Sequence, residues 1–546
     1  IFALPSGMGL GGQATAVAVI RITGPLAGPA LQQLTRGNRT QPRVIPPRVA
    51  TLANLSYQGR MLDQALVLYF PNPHSFTGQD VVELHTHGSR AVLQDVLAVL
   101  ESMEIDVATN HQDDNHNKMT QLQKLRYADA GEFTSRAFAA GKLDVLQVEA
   151  LADLLAADTL LQKQQALSQL QGDLSKLYQE WKRELTGSLA HAEAIIDFGD
   201  DEHLMEMEEE DGMDDFGDND AHEEVQKQAA QQALWGGVTE KVQTLRAAME
   251  LQLKHAQRGE WVRQGFQMAI VGPPNAGKSS LFNILAQDEQ AAIVSPIQGT
   301  TRDVLSVNLN LGGLKCKLSD TAGLREETGD LIEQEGMKRA QQVAQKADLV
   351  LVLLDVASLA AKSLEEHGDN HQSTPPTTSV LLEQELDRLV PSSEISRNQV
   401  VLVLNKADLL GSKDGVNEKI TLSPTTEKEL SAMYTISCQT QEGMDEFLQG
   451  LTDHVMERVM GGEDDQEDTL NKEEDPLMTR GRHRQHVQAA CGALERFEIL
   501  QRDGLVTVDM AAEELRLAAS ELGRLTGAID VEDVLDQLFT DFCIGK

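Results

Sequence analysis

The chain has 546 residues and a formal charge of −38, from 47 lysines and arginines against 85 aspartates and glutamates. It is too long for a single hydrophobic core and fits about three domains. So acidic a chain is unsuited to grip a nucleic-acid backbone unaided, and no apolar run is long enough to span a membrane. Its four cysteines are scattered without metal-type spacing, which indicates a reducing compartment.

Residues 1–142 have the pattern of an α+β unit. One predicted strand ends near Arg21, a second is A-L-V-L-Y-F, and the third, V-V-E-L-H-T-H-G, alternates so that Glu83 and His85 share a face. His87 lies on the same face, but a metal site is the minor interpretation because no acidic or thiol partner is suitably spaced. After an amphipathic helix, the polar residues 106–126 predict a disordered or helical insertion.

From residue 142 to about 260, apolar residues recur at three- and four-residue steps, which predicts helices. An acidic tract at residues 200–224 interrupts them. Blocks of like charge are usually solvated and disordered, and the alternative is a tail that binds a partner.

The most informative stretch is residues 266–280. An apolar strand leads into Gly272, four further residues, and then Gly277, Lys278 and Ser279 at the start of a helical pattern. This is a phosphate-binding loop in the strand–loop–helix setting that such loops require. Lys278 would reach the outer phosphates and Ser279 would bind Mg2+, whereas the alternative is a glycine turn beside a surface lysine.

Further elements of a nucleotide site follow in order. The motif G-T-T-R-D at 299–303 offers Thr301 as a second Mg2+ ligand, and a predicted hairpin turns at Gly312–Gly313. The second strand of the hairpin ends on D-T-A-G at 320–323. An acidic residue before a flexible glycine suits a switch that senses Mg2+ and the γ-phosphate.

Two more apolar strands follow, and the second delivers N-K-A-D at 405–408. The Asp408 carboxylate can accept hydrogen bonds from guanine N1–H and the 2-amino group, which adenine lacks. Ser437 and Cys438 are placed to close over the base, and a polar insertion lies near residues 360–397. These elements together predict a site for a guanine nucleotide and Mg2+.

Helical periodicity returns between Thr479 and Phe542, after an acidic linker at 461–475. Because helices both precede and follow the nucleotide segment, the simplest architecture inserts that domain into an all-helical domain whose two halves pack together.

The motifs G-P-P-N-A-G-K-S-S, G-T-T-R-D, D-T-A-G-L-R and N-K-A-D resemble those of translation-factor-type GTPases. Three others, S-F-T-G-Q-D-V-V-E-L-H-T-H-G, G-E-F-T-S-R-A-F-A-A-G-K-L-D and the terminal F-C-I-G-K, narrow the resemblance to the MnmE (TrmE) family of tRNA-modification GTPases. It covers nearly the whole chain outside the polar and acidic insertions. It implies an α+β folate-binding and dimerisation domain at 1–142, an all-α domain at 143–265 and 461–546, and an inserted α/β P-loop GTPase domain at 266–460.

The resemblance also implies an activity. With an FAD-dependent MnmG-type partner, such a GTPase installs a (carboxymethyl)aminomethyl- or taurinomethyl-type group at C5 of the wobble uridine, position 34, of certain tRNAs. A folate, 5,10-methylene- or 5-formyl-tetrahydrofolate, supplies the one-carbon unit, and GTP hydrolysis uses Mg2+ and K+. We expect a homodimer that meets tRNA largely through its partner. The acidic insertions and the start at Ile1 favour a processed or partial organellar protein, mitochondrial or chloroplast, over a bacterial cytoplasmic one.

The family's site residues transfer by motif. Its folate contacts match Arg21, Glu83, Lys142 and Lys546, although the first three alone would suggest surface charges. Cys543 matches the C-terminal cysteine, for which a reactive and a structural role are both open. The nucleotide contacts are Asn275, Ala276, Gly277, Lys278, Ser279, Ser280, Ser295, Pro296, Ile297, Gln298, Gly299, Thr300, Thr301, Asp320, Thr321, Ala322, Gly323, Asn405, Lys406, Ala407, Asp408, Ser437, Cys438 and Gln439.

For hydrolysis, Leu324 stands where many small GTPases have a glutamine that positions water, and a leucine cannot hydrogen-bond water. The resemblance offers Glu333 as the water-orienting carboxylate, with Glu335 nearby, and Lys278 on the phosphates. It replaces an arginine finger by K+, bound when two GTPase domains pair. Pro296 lies in the loop S-P-I-Q-G-T that would bind K+. It has no backbone N–H, but the K+ ligands at Ser295 and Ile297 would be carbonyl oxygens, which a proline does not remove. The matched K+ ligands are Asn275, Ser295, Ile297 and Thr300.

Two other functions fit parts of the sequence. A GTP-dependent ribosome-assembly or signalling switch without modification chemistry would explain the middle of the chain, but not its N-terminal motifs or F-C-I-G-K. A structural dimer with vestigial GTP binding conflicts with the intact nucleotide-site residues, which are Lys278, Ser279, Thr301, Asp320 and Asp408.

Overall fold

The computed structural model describes residues 1–5, 15–36, 44–112, 118–199, 220–287, 306–320, 341–365, 378–391, 393–410, 429–461, 478–503, 508–527, 535, 539–540 and 542. The chain forms two compact units. The first unit contains Ile1–Leu155, Leu167–Leu245 and Ala489–Lys546, and the second contains Ala156–Ala166 and Arg246–Gln488. The four-part division expected from the sequence stays a prediction.

The first unit contains an antiparallel sheet of five strands in the order β1-β2-β5-β4-β3. Its apolar face packs under two helices, α1 (Ala27–Arg36) and α2 (Arg90–Ser102), where Ile20, Leu84 and Val96 are fully buried. The sheet confirms the three strands expected from alternation. Its strands are β1 (Phe2–Ala3), β2 (Thr15–Thr23), β3 (Thr51–Tyr57), β4 (Arg60–Phe70) and β5 (Val81–Gly88).

The prediction of a disordered or helical insertion at residues 106–126 is wrong. Strands β6 (Glu104–Gln112) and β7 (Lys118–Lys124) pair there as an antiparallel hairpin. At the base of the hairpin, Lys124 Nζ lies 3.2 Å from Glu104 Oε1. The neighbouring Ile105 is buried in the core of the first sheet. The polar composition suggested an unpacked segment, whereas pairing between the strands and an apolar anchor at the base determine the structure.

Helices follow residue 131, as the three- and four-residue spacing predicts. Helix α7 begins at Asp220, so the last residues of the acidic tract are helical rather than disordered, while residues 200–219 lie outside the described part. The helices are α3 (Glu132–Ala139), α4 (Val145–Leu155), α5 (Leu160–Leu170), α6 (Asp173–Gly199) and α7 (Asp220–Gln264).

The second unit is built on a six-stranded sheet in the order β13-β12-β11-β8-β10-β9, in which all neighbours are parallel except β9 and β10. This confirms the predicted α/β nucleotide-binding fold and its hairpin. The strands are β8 (Phe266–Val271), β9 (Ser306–Leu311), β10 (Leu314–Asp320), β11 (Leu349–Asp355), β12 (Val400–Asn405) and β13 (Ala432–Thr435). The helices are α8 (Lys278–Gln287), α9 (Val356–Glu365), α10 (Thr378–Leu389) and α11 (Met444–Met460).

The central strands of this sheet are buried on both faces, as parallel strands between two helical layers must be. Leu351 packs in a core with α8 and α11, and the next residue, Val352, packs in a second core with α9 and α10. The predicted polar insertion near 360–397 contains α10, whose Leu382 and Leu386 are fully buried in that second core. The carboxyl ends of β8, β11 and β12 therefore meet at one fixed edge.

Two helices close the chain, α12 (Gly481–Asp503) and α13 (Val508–Leu525). Helix α13 packs along α6, and the Arg516 guanidinium lies 3.0 Å from the Glu193 carboxylate. The expected packing between the two parts of the helical domain is thus confirmed for these helices. Among the described residues, no helix combines the length and apolarity needed to cross a bilayer.

Candidate active site

The phosphate-binding loop joins β8 to α8, and two of its glycines are required by close packing. A Cβ atom on Gly272 would lie 2.2 Å from the carbonyl oxygen of Leu353 in β11. A Cβ atom on Gly277 would lie 2.1 Å from the Asn405 side-chain nitrogen, and the backbone there has φ of +100°. Asn275 also adopts a positive φ, of 62°. The loop is therefore pressed against the ends of β11 and β12 in a turn that only glycine tolerates at these points.

Lys278 is the first residue of α8, and its ammonium folds back over the loop. Its Nζ atom donates to the carbonyl oxygens of Gly272 and Pro273 at 2.9 and 2.8 Å. Ser279 and Ser280 follow in the first turn of α8 and are exposed. The cation and the helix N-terminus thus occupy the positions expected around phosphates.

Asn405 joins three parts of the site through one side chain. Its amide nitrogen donates to the Ala276 carbonyl at 2.8 Å, and its amide oxygen accepts from the Cys438 backbone N–H at 3.1 Å. The residue is only 2% exposed. The phosphate-binding loop, the end of β12 and the loop after β13 are therefore held in one arrangement.

The carboxylate of Asp408, which the sequence predicts to recognise the base, is hydrogen-bonded by Ser437. Ser437 is fully buried, and its hydroxyl donates to Asp408 Oδ1 at 2.6 Å while accepting from the Thr440 backbone N–H at 3.1 Å. Cys438 follows directly, and burial raises the pKa of its thiol to about 11. The thiol is therefore protonated at neutral pH, which suits a wall of the site rather than a nucleophile.

A cavity of about 310 Å³ lies in the first unit. Arg21 on β2 and Glu83 on β5 are directly opposed in the sheet, and both line the cavity. The Arg21 guanidinium donates to Glu83 Oε1 through Nε at 3.0 Å and Nη2 at 2.7 Å. The remaining lining residues are apolar and are Phe70, Phe76, Val81 and Leu151.

Lys142 and Phe542 lie near segments that contribute residues to this cavity. The Cε atom of Lys142 lies beside Gly78, 3.7 Å from the position that a Cβ would take there, in the loop that carries Phe76. Phe542, the residue before Cys543, packs against Val148 in a cluster that Leu151 also joins.

The histidines beside Glu83 are engaged by carboxylates. His87 is fixed by Asp63, which lies 2.7 Å from its Nδ1 atom and also accepts its backbone N–H at 2.8 Å. His85 Nε2 lies 3.5 Å from Glu83 Oε2. The described part of the chain contains no group of three or more histidine, cysteine or acidic side chains arranged to hold a metal ion.

Comparison with known proteins covers the whole chain. The model described as the GTP-binding protein TrmE N-terminus matches residues 1–142, and the MnmE helical domain model matches residues 145–543. The chain belongs to the MnmE family. It is accordingly a GTPase involved in tRNA modification, and the fold and resemblance expected from its motifs are confirmed.

Similar proteins of this family come from mitochondria and bacteria. The 5-taurinomethyluridine-[tRNA] synthase subunit GTPB3, mitochondrial, is 40% identical in both Rattus norvegicus and Homo sapiens, covering 100% of this chain and 93% of either relative. The tRNA modification GTPase MnmE of Paramagnetospirillum magneticum is 37% identical, covering 100% and 99%. Among solved structures, a GDP complex of a Sulfolobus solfataricus GTP-binding protein is 15% identical with a TM-score of 0.25, covering 43% of this chain and 62% of that one.

In this MnmE-family chain, several predicted site residues fall outside the described part. They are Ser295, Pro296, Ile297, Gln298, Gly299, Thr300, Thr301, Thr321, Ala322, Gly323, Glu333, Cys543 and Lys546. Asp320, which begins the D-T-A-G motif, ends β10 beside Ile270 of β8 and is 3% exposed. Ala407 and Asp408 begin a short 3-10 helix, and Gln439 is exposed after Cys438.

Sequence reasoning missed one charged residue at the nucleotide edge of this MnmE-family fold. Asp355 is the last residue of β11 and lies directly beside Asn405 of β12. It accepts from the Lys406 ammonium at 2.6 Å. The available signal was its position at the carboxyl end of a buried strand, where ligand-binding residues of parallel sheets concentrate.

Proposed function

We propose that this GTPase, together with an FAD-dependent MnmG-type partner, modifies C5 of the wobble uridine of certain tRNAs with a one-carbon unit taken from folate. The main support for this proposal is the cavity lined by Arg21 and Glu83, which we call the folate cleft. A cavity of about 310 Å³ with apolar walls and one ion pair is the usual form of a small-molecule site.

The chemistry of the cleft fits a reduced folate. The aromatic and aliphatic walls suit a flat heterocycle, and Glu83 offers a carboxylate to the N–H donors of a pterin-like ring. Arg21 and Lys142 are cations suited to the carboxylate tail of the ligand. When bound, 5,10-methylene- or 5-formyl-tetrahydrofolate would supply the one-carbon unit. By the family pattern, Cys543 and Lys546 would also serve this site.

The GTP site fits Mg2+ and K+. The Ser279 hydroxyl and, by the family pattern, Thr301 would hold Mg2+ beside the phosphates. Asn275 is exposed in the phosphate-binding loop with its backbone turned to positive φ, which supports the K+ assignment made together with Ser295, Ile297 and Thr300.

We propose a mitochondrial location and a taurinomethyl-type product, because the names of the rat and human relatives include both. The homodimer is proposed from the family resemblance alone. Similarity to the bacterial tRNA modification GTPase MnmE keeps a bacterial location as the alternative. The carboxymethylaminomethyl-type product is the alternative that the family resemblance implies. The partner would provide most of the tRNA contacts, since a chain with a formal charge of −38 repels a phosphate backbone.

Calorimetry of the full chain with 5-formyl-tetrahydrofolate tests the cleft. Wild type should bind, and Arg21→Ala should weaken binding roughly 10- to 100-fold, the effect of a lost charge-assisted pair. Arg60→Ala is the matched control, because Arg60, at the start of β4, pairs with Asp95 of α2 and does not line the cavity.

Full folate binding by Arg21→Ala would reject the assigned residue. Absence of folate binding in wild type would instead favour the ribosome-assembly or signalling switch, which needs no one-carbon donor. Wobble-uridine modification with the purified FAD partner, followed by mass spectrometry of the tRNA, then identifies the product.

A further inference from the structure

The ion pair between Asp355 and Lys406 lies at the base-binding end of the sheet. Asp355 Oδ2 accepts from Lys406 Nζ at 2.6 Å, and Oδ1 accepts from the backbone N–H groups of Ala357 and Ser358 at 3.1 Å each. These N–H groups belong to the first turn of α9. Both carboxylate oxygens are therefore engaged, and the position of the negative charge is fixed by a helix terminus.

Lys406 lies near a second carboxylate in the sequence. It precedes Asp408 by two residues, and its backbone is in the left-handed region with φ of 68°. Its side chain is only about one-third exposed, at 32%. In the structure its ammonium pairs with Asp355, while Asp408 Oδ1 accepts from Ser437.

This division of partners matters for guanine recognition. Guanine presents two donors, N1–H and the 2-amino group, and a carboxylate that receives both must not be neutralised by a nearby ammonium. An ammonium drawn to Asp408 would compete with the base for the same oxygens. An ammonium held at Asp355 leaves Asp408 to the base and directs the methylene stem of the lysine along the base site, where it can cover an aromatic face.

We propose that Asp355 is a positioning residue for guanine specificity, which holds the Lys406 ammonium away from Asp408. This proposal rests on the GTPase activity of the family. It gives Asp355 the role of keeping the Asp408 carboxylate available to the base. Asp355 itself touches the lysine and α9.

The test measures GDP and IDP binding to the full chain by calorimetry, because IDP lacks the 2-amino group. Asp355→Asn keeps an oxygen for the α9 N–H groups but removes the charge. It should weaken GDP binding about tenfold and IDP binding less, so that the preference for GDP narrows. The double variant Asp355→Asn/Lys406→Met has no ammonium to compete, and its GDP-to-IDP ratio should return to that of Lys406→Met alone.

Asp348→Asn is the matched control. Asp348 precedes the opposite end of β11, where its Oδ2 atom accepts the Gln267 backbone N–H at 2.8 Å, so this variant should bind GDP like wild type. If Asp355→Asn does not fold, Asp355→Ser, which removes the charge but keeps an oxygen able to accept from the first turn of α9, supplies the same comparison with and without Lys406→Met.

Wild-type GDP affinity and base preference in Asp355→Asn would overturn the proposal. So would a narrowed ratio that persists after Lys406→Met, because loss of local structure would then explain it. A wild-type chain that does not prefer GDP to ADP would show instead that the guanine site itself is wrong.

Discussion

At the scale of single residues, Asn405 couples the phosphate and base parts of the GTP site. Its two amide atoms are both used, one on the phosphate-binding loop and one on the loop that carries Cys438. A buried amide with both ends satisfied tolerates little change, because any replacement leaves a donor or an acceptor unpaired. We therefore expect nucleotide affinity to be sensitive to any substitution of Asn405.

Asp408→Asn should change the base preference of this site. The amide cannot accept from both guanine donors, but its N–H group can donate to the 2-keto oxygen of xanthine. We expect GTP affinity to fall roughly 10- to 100-fold, since one or two hydrogen bonds to a charged group are lost, and XTP affinity to rise. Competition binding with GTP, XTP and ATP measures this.

Asp453→Asn is a suitable control for that substitution, because Asp453 accepts from Gln449 on the exposed side of α11. Unchanged GTP preference in Asp408→Asn would disprove the assigned role of Asp408.

The sequence predicted Asp408, Ser437 and the phosphate-binding loop because each belongs to a short motif with its own chemistry. It could not predict the pairing of Asp355 with Lys406, because the two lie 51 residues apart along the chain. Only the register of β11 against β12 places them together. Similarly, the partnership of Arg21 and Glu83 depends on the antiparallel pairing of β2 with β5, which a local pattern does not specify.

At the scale of elements, the β9–β10 hairpin lies between the G-T-T-R-D and D-T-A-G motifs in the sequence, and its tip contacts two helices. A Cβ atom on Gly312 would lie 2.9 Å from Met456 Cγ in α11, and the Leu161 backbone N–H, in α5, donates to the Gly313 carbonyl at 3.4 Å. The paired glycines with positive φ thus allow a tight turn between two helices. The second strand ends on Asp320, so the tip contacts support the strand that presents this carboxylate.

The ion pair beside the tip offers a measurable test of this support. Lys315 Nζ lies 2.7 Å from Asp158 Oδ2, and the Asp158 side chain is 41% exposed. We therefore expect Lys315→Met to lower the free energy of unfolding by at most about 1 kcal/mol. The loss should shrink in high salt, which screens exposed pairs. The double variant Asp158→Lys/Lys315→Glu should regain most of the stability. Denaturant unfolding at two salt concentrations measures these differences.

Lys317→Met is the control, because Lys317 lies two residues along the same strand on the same face and is exposed. An equal loss of stability in Lys315→Met and Lys317→Met would show that the pair with Asp158 contributes nothing specific.

Helices and strands with a clear pattern of apolar residues could be predicted from the sequence. Elements whose stability depends on pairing with another strand could not. The uninterrupted apolar runs of β11 and β12 correctly indicated strands buried on both faces, and the spacing in α6 and α13 correctly indicated helices. The β6–β7 hairpin was missed because its sequence is polar and its stability comes from the opposite strand and from Ile105 and Leu125 at its base. Local composition carries no information about those contacts.

At the scale of the whole molecule, the catalytic problem is how a GTPase without an evident arginine finger neutralises the charge that develops on the phosphates. Leu324 cannot orient water, so we expect Glu333 to do so, and the phosphate-binding loop supplies Lys278 and the backbone. These groups belong to one chain, but by the family pattern the K+ ion would also need Ser295, Ile297 and Thr300 and the pairing of two GTPase domains. Catalysis would then depend on assembly as well as on local geometry.

GTP turnover should consequently be slow in Na+ and faster in K+, and the acceleration should grow with protein concentration because pairing completes the cation site. An arginine finger contributes about 10³–10⁵ in rate, and a weaker, exchangeable K+ should contribute less. Asn275→Ala should lose the K+ response while still binding nucleotide through Lys278, and Glu333→Ala should bind GTP and pair in K+ without hydrolysing it. Phosphate release in the two salts at several enzyme concentrations measures all three effects. Equal rates in Na+ and K+ would show that the cation assignment is wrong, and Arg302 or Arg325 would become the candidate that supplies the charge.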